Sequence, residues 1–378
     1  MSPGSVAFQQ IQAKRGVMGG AGPDRRARRL LILALLGCLG LVSTGGDGVA
    51  TGGQTATQAG KAAYQLTVPF GLEEAAGYIP ADNPLTQDKV ELGKLLFFDP
   101  RLSQNNTVSC ASCHMPQLAW TDGQQVGVGI HRQLATRNTQ TIVNRLYSQA
   151  QLWHGKSPSL EAQAINPLHK PVRMGMPSYE AEVAKLNAIA GYRERFRNVF
   201  GTDVTLDGLA KAIAAFERTI LSGNSPADRF DMGGEEQAIS ESAQRGLALF
   251  QGKARCTRCH SGFNFTDEKF HNLGIDWDGD QIDAGRYKVS KDPEDIGAFK
   301  TPTLREISRT APYMHDGRFA TLEAVVEFYD QGGIRNPHLS NLMVPLNLTG
   351  REKSDLVEYM RALNGEGWQV APPVEFPK

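Results

Sequence analysis

The chain has 378 residues, too many for one ordinary single-core domain, and its 40% hydrophobic and 21% charged residues match the average of globular proteins. Forty basic residues balance forty acidic ones, which removes any polyelectrolyte argument for nucleic acid as a partner. No nucleotide or hydrolase motif is present: Gly127-Val128-Gly129 lacks the strand–helix context of a phosphate loop.

At the N-terminus, Arg25, Arg26, Arg28 and Arg29 precede the apolar run from Leu30 to Val42. A run of about a dozen residues has signal-peptide length, short of the ~20 that span a bilayer. Met18 is a second candidate initiator. Leu35-Leu36-Gly37-Cys38 has the look of a lipoprotein signal, so Cys38 either carries a lipid anchor or leaves with the signal. Residues 43–63, rich in Gly, Thr, Gln and Ala, read as a flexible leader. The expected compartment is the periplasm, with no transmembrane helix in the mature protein.

Downstream, the first helical periodicity runs from Lys89 to Phe97, and Cys110-Ala111-Ser112-Cys113-His114 follows it. The pattern repeats later. Ala243–Phe250 is helical in spacing and leads to Cys256-Thr257-Arg258-Cys259-His260, and Gly93-Lys94-Leu95-Leu96-Phe97 is echoed by Gly246-Leu247-Ala248-Leu249-Phe250. C-x-x-C-H is the attachment pattern of c-type haem: the thiols bond the porphyrin and the adjacent His lies under the iron. Two disulfides or one four-cysteine zinc site would leave both histidines unused. Two covalent haem c groups are therefore expected, on Cys110, Cys113 and His114 and on Cys256, Cys259 and His260. Further helices are expected at Glu180–Ala190, Leu206–Ser222, Thr321–Tyr329 (with Thr321 as N-cap) and Glu352–Leu363, while strand signals are sparse. The expected fold is mainly α: two cytochrome c-like helical haem domains with long loops. Residues 1–63 would be targeting segment and leader, 64–235 the N-terminal haem domain and 236–378 the C-terminal one.

With the haem motifs stand several further blocks: Leu92–Asp99, Ala135-Thr136-Arg137-Asn138, Trp153-His154-Gly155, Phe263–Asp267, Lys300–Arg305 and Thr310–Gly317. Through these the chain resembles the bacterial dihaem cytochrome c peroxidase and MauG superfamily over roughly residues 80–363. The resemblance implies a peroxide-reactive haem on His114, a relay haem on His260, and Trp153 between them. It also implies one calcium ion near Asn138, Thr310 and Pro312, whose oxygen donors suit a hard cation. Family peroxidases place a Met fourteen residues after the His of the Thr310–Gly317 block, and MauG-like members place a Tyr there. This chain has Tyr329, so the resemblance implies His/Tyr ligation, with Met314 off the ligand position. An anionic phenolate favours the higher oxidation states of iron, and a thioether the lower.

The distal residues implied by the resemblance are Gln163 and Pro167, which match, and a Glu, which does not. At that third position stands Arg173, which cannot shuttle a proton but can stabilise a departing hydroxide. His131, His154 and His169 are candidate substitutes for the shuttle, and His131 lies one residue off the place of a distal His in family peroxidases. His271 and His315 are expected to hold haem propionates or backbone. Three functions follow. The first is a MauG-type oxidase that takes hydrogen peroxide and oxidises a partner, such as a protein tryptophan. The second is a cytochrome c peroxidase fed by a small cytochrome or copper protein, and the third is a dihaem electron carrier without peroxide chemistry.

Overall fold

The computed structural model describes residues 62–279 and 281–378, so the arginine-rich run, Met18 and Cys38 lie outside the described residues. The first core is built on a helix crossing. Helix α1 (Gln87–Phe98) packs its Val90, Leu92, Leu96 and Phe97 face on α6 (Leu206–Glu217), whose N-cap Thr205 accepts from Gly208 N–H at 3.0 Å. A second crossing repeats the device. Helix α8 (Glu241–Gln251), capped by Ser240, lies on α11 (Gly350–Arg361), capped by the reciprocal Thr349–Glu352 pair.

The echoed glycines explain why these helices come so close. A β-carbon at Gly93 would lie 1.9 Å from the Ala212 carbonyl oxygen, and one at Gly246 would lie 2.0 Å from that of Asp355. Only hydrogen fits between the backbones. Gly93→Ala and Gly246→Ala should each lower the unfolding free energy by about 2 kcal/mol in urea titrations, the cost of overpacking a filled contact. Gly77→Ala, which meets nothing within 4 Å, serves as the neutral control.

Between the crossings run α2 (Cys110–Cys113), α3 (Leu160–Ile165), α4 (Tyr179–Asn187), α5 (Ala190–Phe200) and α7 (Pro226–Asp231), and α9 (Tyr287–Ser290) and α10 (Leu322–Asp330) follow α8. The sheet content is one antiparallel pair, β1 (Phe270–Asn272) with β2 (Ala298–Lys300), in register His271 opposite Phe299. The fold is mainly helical, as the sequence implies.

The helix expected over Glu352–Leu363 spans Gly350–Arg361, and two ends differ from expectation by three residues or more. The helix expected over Glu180–Ala190 ends at Asn187, and a separate helix starts at Ala190. The helix expected to reach Ser222 ends at Glu217, because Asn144 captures the chain beyond it: Asn144 N–H donates to Ile220 O, its Nδ2 donates to Ser222 O, and Ser222 N–H donates to its Oδ1. A side chain that satisfies both backbone groups of Ser222 competes directly with the next helical turn. At the expected cap, Thr321 accepts from Ala324 N–H at 3.2 Å.

The described residues belong to one compact unit. The C-terminal tail returns to the first core, where Trp368 is buried and its carbonyl accepts from Trp120 Nε1 at 2.9 Å. Arg305, fully buried, forks onto Asp228 and also donates to Gly71 and Phe263 carbonyls.

Candidate haem sites

Ser109 caps α2 and exchanges hydrogen bonds with Ser112, so the first motif forms a single helical turn that presents Cys110, Cys113 and His114. The histidine amide closes that turn on Cys110 O at 2.9 Å. With Nδ1 protonated, the His114 ring donates to Trp120 O at 3.1 Å, which leaves Nε2 as the lone-pair nitrogen. Trp120 has φ 63°, and this left-handed turn aims its carbonyl back at the ring.

The second motif is built the same way from different residues. Its turn spans Cys256–Arg258, His260 N–H donates to Cys256 O at 2.8 Å, and Nδ1 of His260 donates to the carbonyl of Phe265 (φ 50°) at 3.0 Å. Burial pushes both imidazoles below the ordinary histidine value, so each stays neutral. A neutral imidazole with an oriented, free Nε2 is the form that ligates iron.

All four cysteines of the motifs are free thiols, which excludes the disulfide alternative among the described residues. Burial raises each of them, Cys259 to about 11 and Cys256 to about 12. The thiols stand two in each of two separate turns, each pair beside an oriented imidazole that a single four-cysteine zinc site would leave unused. The donor set fits two covalently held haems.

Around His260 lies a cavity of about 220 Å³, lined by Cys256, Cys259, His260, Tyr329, Trp153 and the Lys300–Leu304 stretch among others. Tyr329, on α10, lines this cavity and is half-buried. Its phenol is raised by burial and then by the Cys259 and Cys256 thiols beside it. No protein group among the described residues hydrogen-bonds its hydroxyl, so it is not a core tyrosine with its OH tied back. Met314 lines the same cavity, and so does Met343, which sequence reasoning did not single out.

Trp153 is fixed at both ends. Its Nε1 donates to Asn138 O at 2.9 Å, and its carbonyl accepts from Lys300 N–H at 2.7 Å. Its ring meets His315 edge-on at 6.4 Å, and His315 stacks on Phe299 at 3.5 Å. Asn138 spends its amide hydrogens on Gln124 O (2.9 Å) and Gln125 O (3.3 Å), leaving Oδ1 without a protein donor among the described residues. The carbonyls of Thr310 and Pro312 are likewise free of protein donors there, and all three residues line the cavity. Such oxygens fit a hard cation such as calcium.

The expected distal residues sit on α3 and the turn after it. Gln163 accepts from Ser157 Oγ at 3.0 Å, and Pro167 O accepts from Lys170 N–H and Met174 N–H. That turn carries Arg173, whose carbonyl accepts from Ile130 N–H at 2.8 Å. Its guanidinium has neither carboxylate nor hydrogen-bond partner among the described residues, and its charge bears on Cys113 and His114.

The other histidines separate by surroundings. His131 is exposed at a left-handed loop tip (φ 55°), and His169 packs edge-on against Tyr179 at 4.3 Å. His154 is pushed down to about 4 by burial and by the Arg137 guanidinium, and its buried Nδ1 has no partner. His271 and His315, expected on propionates or backbone, each place Nε2 on a carboxylate: His271 pairs with Asp267 at 2.8 Å and His315 with Asp276 at 2.9 Å, and neither ring bonds the backbone among the described residues.

Sequence reasoning missed several buried charges. Glu182 and Glu217 are buried acids held up to about 8, Glu182 with both oxygens unpartnered, and both bear on Cys110. Arg145 and Lys300 are buried cations in the His260 cavity. Mid-helix or in a loop, such residues look like surface charges.

Comparison with known proteins bears on the same geometry. Residues 87–237 match the di-haem cytochrome c peroxidase family. The chain is 41% identical over 347 residues to the methylamine utilization protein MauG of Methylorubrum extorquens, covering 91% of this chain and 97% of that one. It is also 41% identical over 317 residues to the cytochrome-c peroxidase IdrP1 of Denitromonas iodatirespirans, covering 76% and 84%. Among solved structures, a MauG-like protein associated with microbial copper homeostasis superposes with a TM-score of 0.71 at 33% identity, covering 82% of this chain and 96% of that one. The chain therefore belongs to the dihaem cytochrome c peroxidase and MauG family of oxidoreductases.

Proposed function

We propose that the protein is a MauG-type oxidase that consumes hydrogen peroxide at a first haem, on Cys110, Cys113 and His114, and oxidises a protein partner through a second, on Cys256, Cys259, His260 and Tyr329. When bound, the haems supply peroxide activation and one-electron transfer. The protein's own residues set the conditions. His114 and His260 are held neutral and oriented through their Nδ1 hydrogens. Tyr329 lines the His260 cavity and would hold the second haem through its phenol oxygen, as a phenolate once bound. Trp153, with Nε1 fixed on Asn138 O, stands between the two sites. Gln163, Pro167 and Arg173 border the peroxide side of the first site, where Arg173 donates to the departing oxygen. The proton it cannot carry would need water or a histidine, of which His154 has a buried Nδ1 without a partner among the described residues. Asn138, Thr310 and Pro312 hold one calcium ion. The two haem domains divide near residue 235. The arginine-rich run sends the chain to the periplasm, with Cys38 as a lipid anchor where it is retained. Among the described residues no helix is long and apolar enough to cross a membrane.

The observation that carries this reading is the Tyr329 hydroxyl, without a hydrogen-bond partner among the described residues and beside both thiols of the second motif. A cytochrome c peroxidase is the second reading, favoured by Met314 and Met343 in the same cavity wall. One equivalent of hydrogen peroxide added to the as-isolated, fully oxidised protein separates them by optical and Mössbauer spectroscopy. The expected result is a long-lived change at both irons without prior reduction. Reaction only after one-electron reduction is the peroxidase outcome, and no reaction in either state leaves an electron carrier.

A further inference from the structure

The cavity around His260 contains more positive charge than its own walls neutralise. Arg145 and Lys300 both line it, 6% and 1% exposed. Arg145 donates Nε to Gln151 Oε1 at 2.7 Å and Nη2 to Ala150 O at 3.1 Å, both uncharged acceptors, and its Nη1 has no partner among the described residues. Lys300 uses one of its three ammonium hydrogens, on Glu268 Oε1 at 3.0 Å. That same oxygen also accepts from Ser148 Oγ at 2.9 Å.

The neighbouring acids do not close the balance. Glu268 is a single carboxylate facing two cations. Asp267 is already paired with His271. Glu217 also bears on Arg145, but burial holds it near 8 and hence uncharged at neutral pH. The strain shows on Lys300, whose ammonium is pushed down to about 8 by burial and then by the Arg145 guanidinium, with Glu268 acting the other way. A buried cation without a full counter-charge is costly; Arg145 lines the cavity with Nη1 unused, and the Lys300 side chain is fully buried near it.

We propose that Arg145 and Lys300 form a carboxylate clamp in which Arg145 binds a propionate of the haem on Cys256, Cys259 and His260, the buried Lys300 charge supports it, and the two cations raise the haem's reduction potential. This rests on the reading of that motif as a haem site. The chemistry of the ligand follows from the donors: an anionic, planar acceptor takes two hydrogen bonds from the free edge of a guanidinium, and the ammonium supplies a point charge beside it. The clamp acts against Tyr329. A phenolate stabilises ferric iron, whereas two cations near the porphyrin edge stabilise the reduced form.

The test is a spectroelectrochemical titration of the intact holoprotein, with haem stoichiometry and thioether attachment checked by mass spectrometry. Lys300→Gln should lower the midpoint of the second haem so that its oxidised-to-reduced ratio at fixed potential rises at least tenfold, about 59 mV for one electron. Lys300→Arg should stay within threefold of the parent, and the first haem should not move. As a second variant, Arg145→Lys keeps the charge but loses the fork. It should shift the propionate bending bands in resonance Raman spectra while leaving the midpoint near the parent value. An unchanged midpoint in Lys300→Gln with both haems attached, or a shift confined to the first haem, overturns the clamp. Absence of haem on Cys256 and Cys259 in the parent protein overturns the underlying reading instead.

Discussion

Replacing Arg173 with leucine should slow the reaction with hydrogen peroxide by about a hundredfold, measured as the second-order rate constant in stopped flow. The guanidinium is unusual in having no carboxylate and no hydrogen-bond acceptor among the described residues, while its charge reaches Cys113 and His114. On the proposed reading, a partly buried guanidinium near the first motif stabilises negative charge as the O–O bond separates, and losing one such donor costs on the order of 10² to 10³ in rate. Arg173→Lys keeps a charge but not the fork, and should fall between the two. Arg173→Glu tests the opposite logic. It restores a group that can take and return a proton, worth roughly 10² to 10⁴ where the pKa is suitable, at the loss of the positive charge. If leucine leaves the rate unchanged while both haems remain attached, Arg173 serves only as a propionate partner, and the departing oxygen is stabilised by Gln163 or by water.

Much of this arrangement is readable in the sequence, and the reasons are local. C-x-x-C-H brings two thiols and one imidazole into one helical turn, so short-range spacing alone suffices to place Cys110, Cys113 and His114 together, and likewise Cys256, Cys259 and His260. The echo of Gly93–Phe97 in Gly246–Phe250 is also visible, but its cause is not. It becomes clear only when the Ala212 and Asp355 carbonyls are seen to fill the space a β-carbon would need. Helix α5 is hidden because Arg193, Glu194, Arg195 and Arg197 dilute its apolar face to Tyr192 and Phe196. The end of α6 is hidden for another reason, since the competitor, Asn144, lies 78 residues away. The least readable features are charges. Lys300 stands in a block that matches the family, yet nothing in the letters distinguishes a lysine with a fully buried ammonium from a solvated one. Glu182 likewise occupies a helical position that reads as surface and is 0% exposed. Burial is a property of the tertiary fold, and charge burial departs most from what residue type predicts.

The second large effect is expected at Tyr329. Tyr329→Met should raise the midpoint of the second haem by a few tenths of a volt, within the ~0.8 V range that axial ligands span. It should also remove the reaction of the fully oxidised protein with peroxide at both irons. The side chain is positioned for this exchange. Its hydroxyl makes no competing hydrogen bond among the described residues, and the thiols of Cys259 and Cys256 are the groups that most affect it after burial itself. A phenolate ligand shares the charge of an oxidised iron, whereas a thioether favours the reduced one, so the methionine variant should need one-electron reduction before it reacts. Tyr329→Phe separates ligation from packing, because it retains the ring against Phe328 (5.8 Å between centroids) and removes only the oxygen. Phenylalanine should therefore leave the unfolding transition nearly unchanged while shifting the optical spectrum of the second haem. Parent-like spectra and midpoint in both variants would mean that Tyr329 is not a ligand. Met314 and Met343 lie in the same cavity wall, and in that event one of them takes the axial position. The protein would then work as a peroxidase that must be primed by an electron donor, and removing the true ligand, by Met314→Leu or Met343→Leu, would abolish that priming.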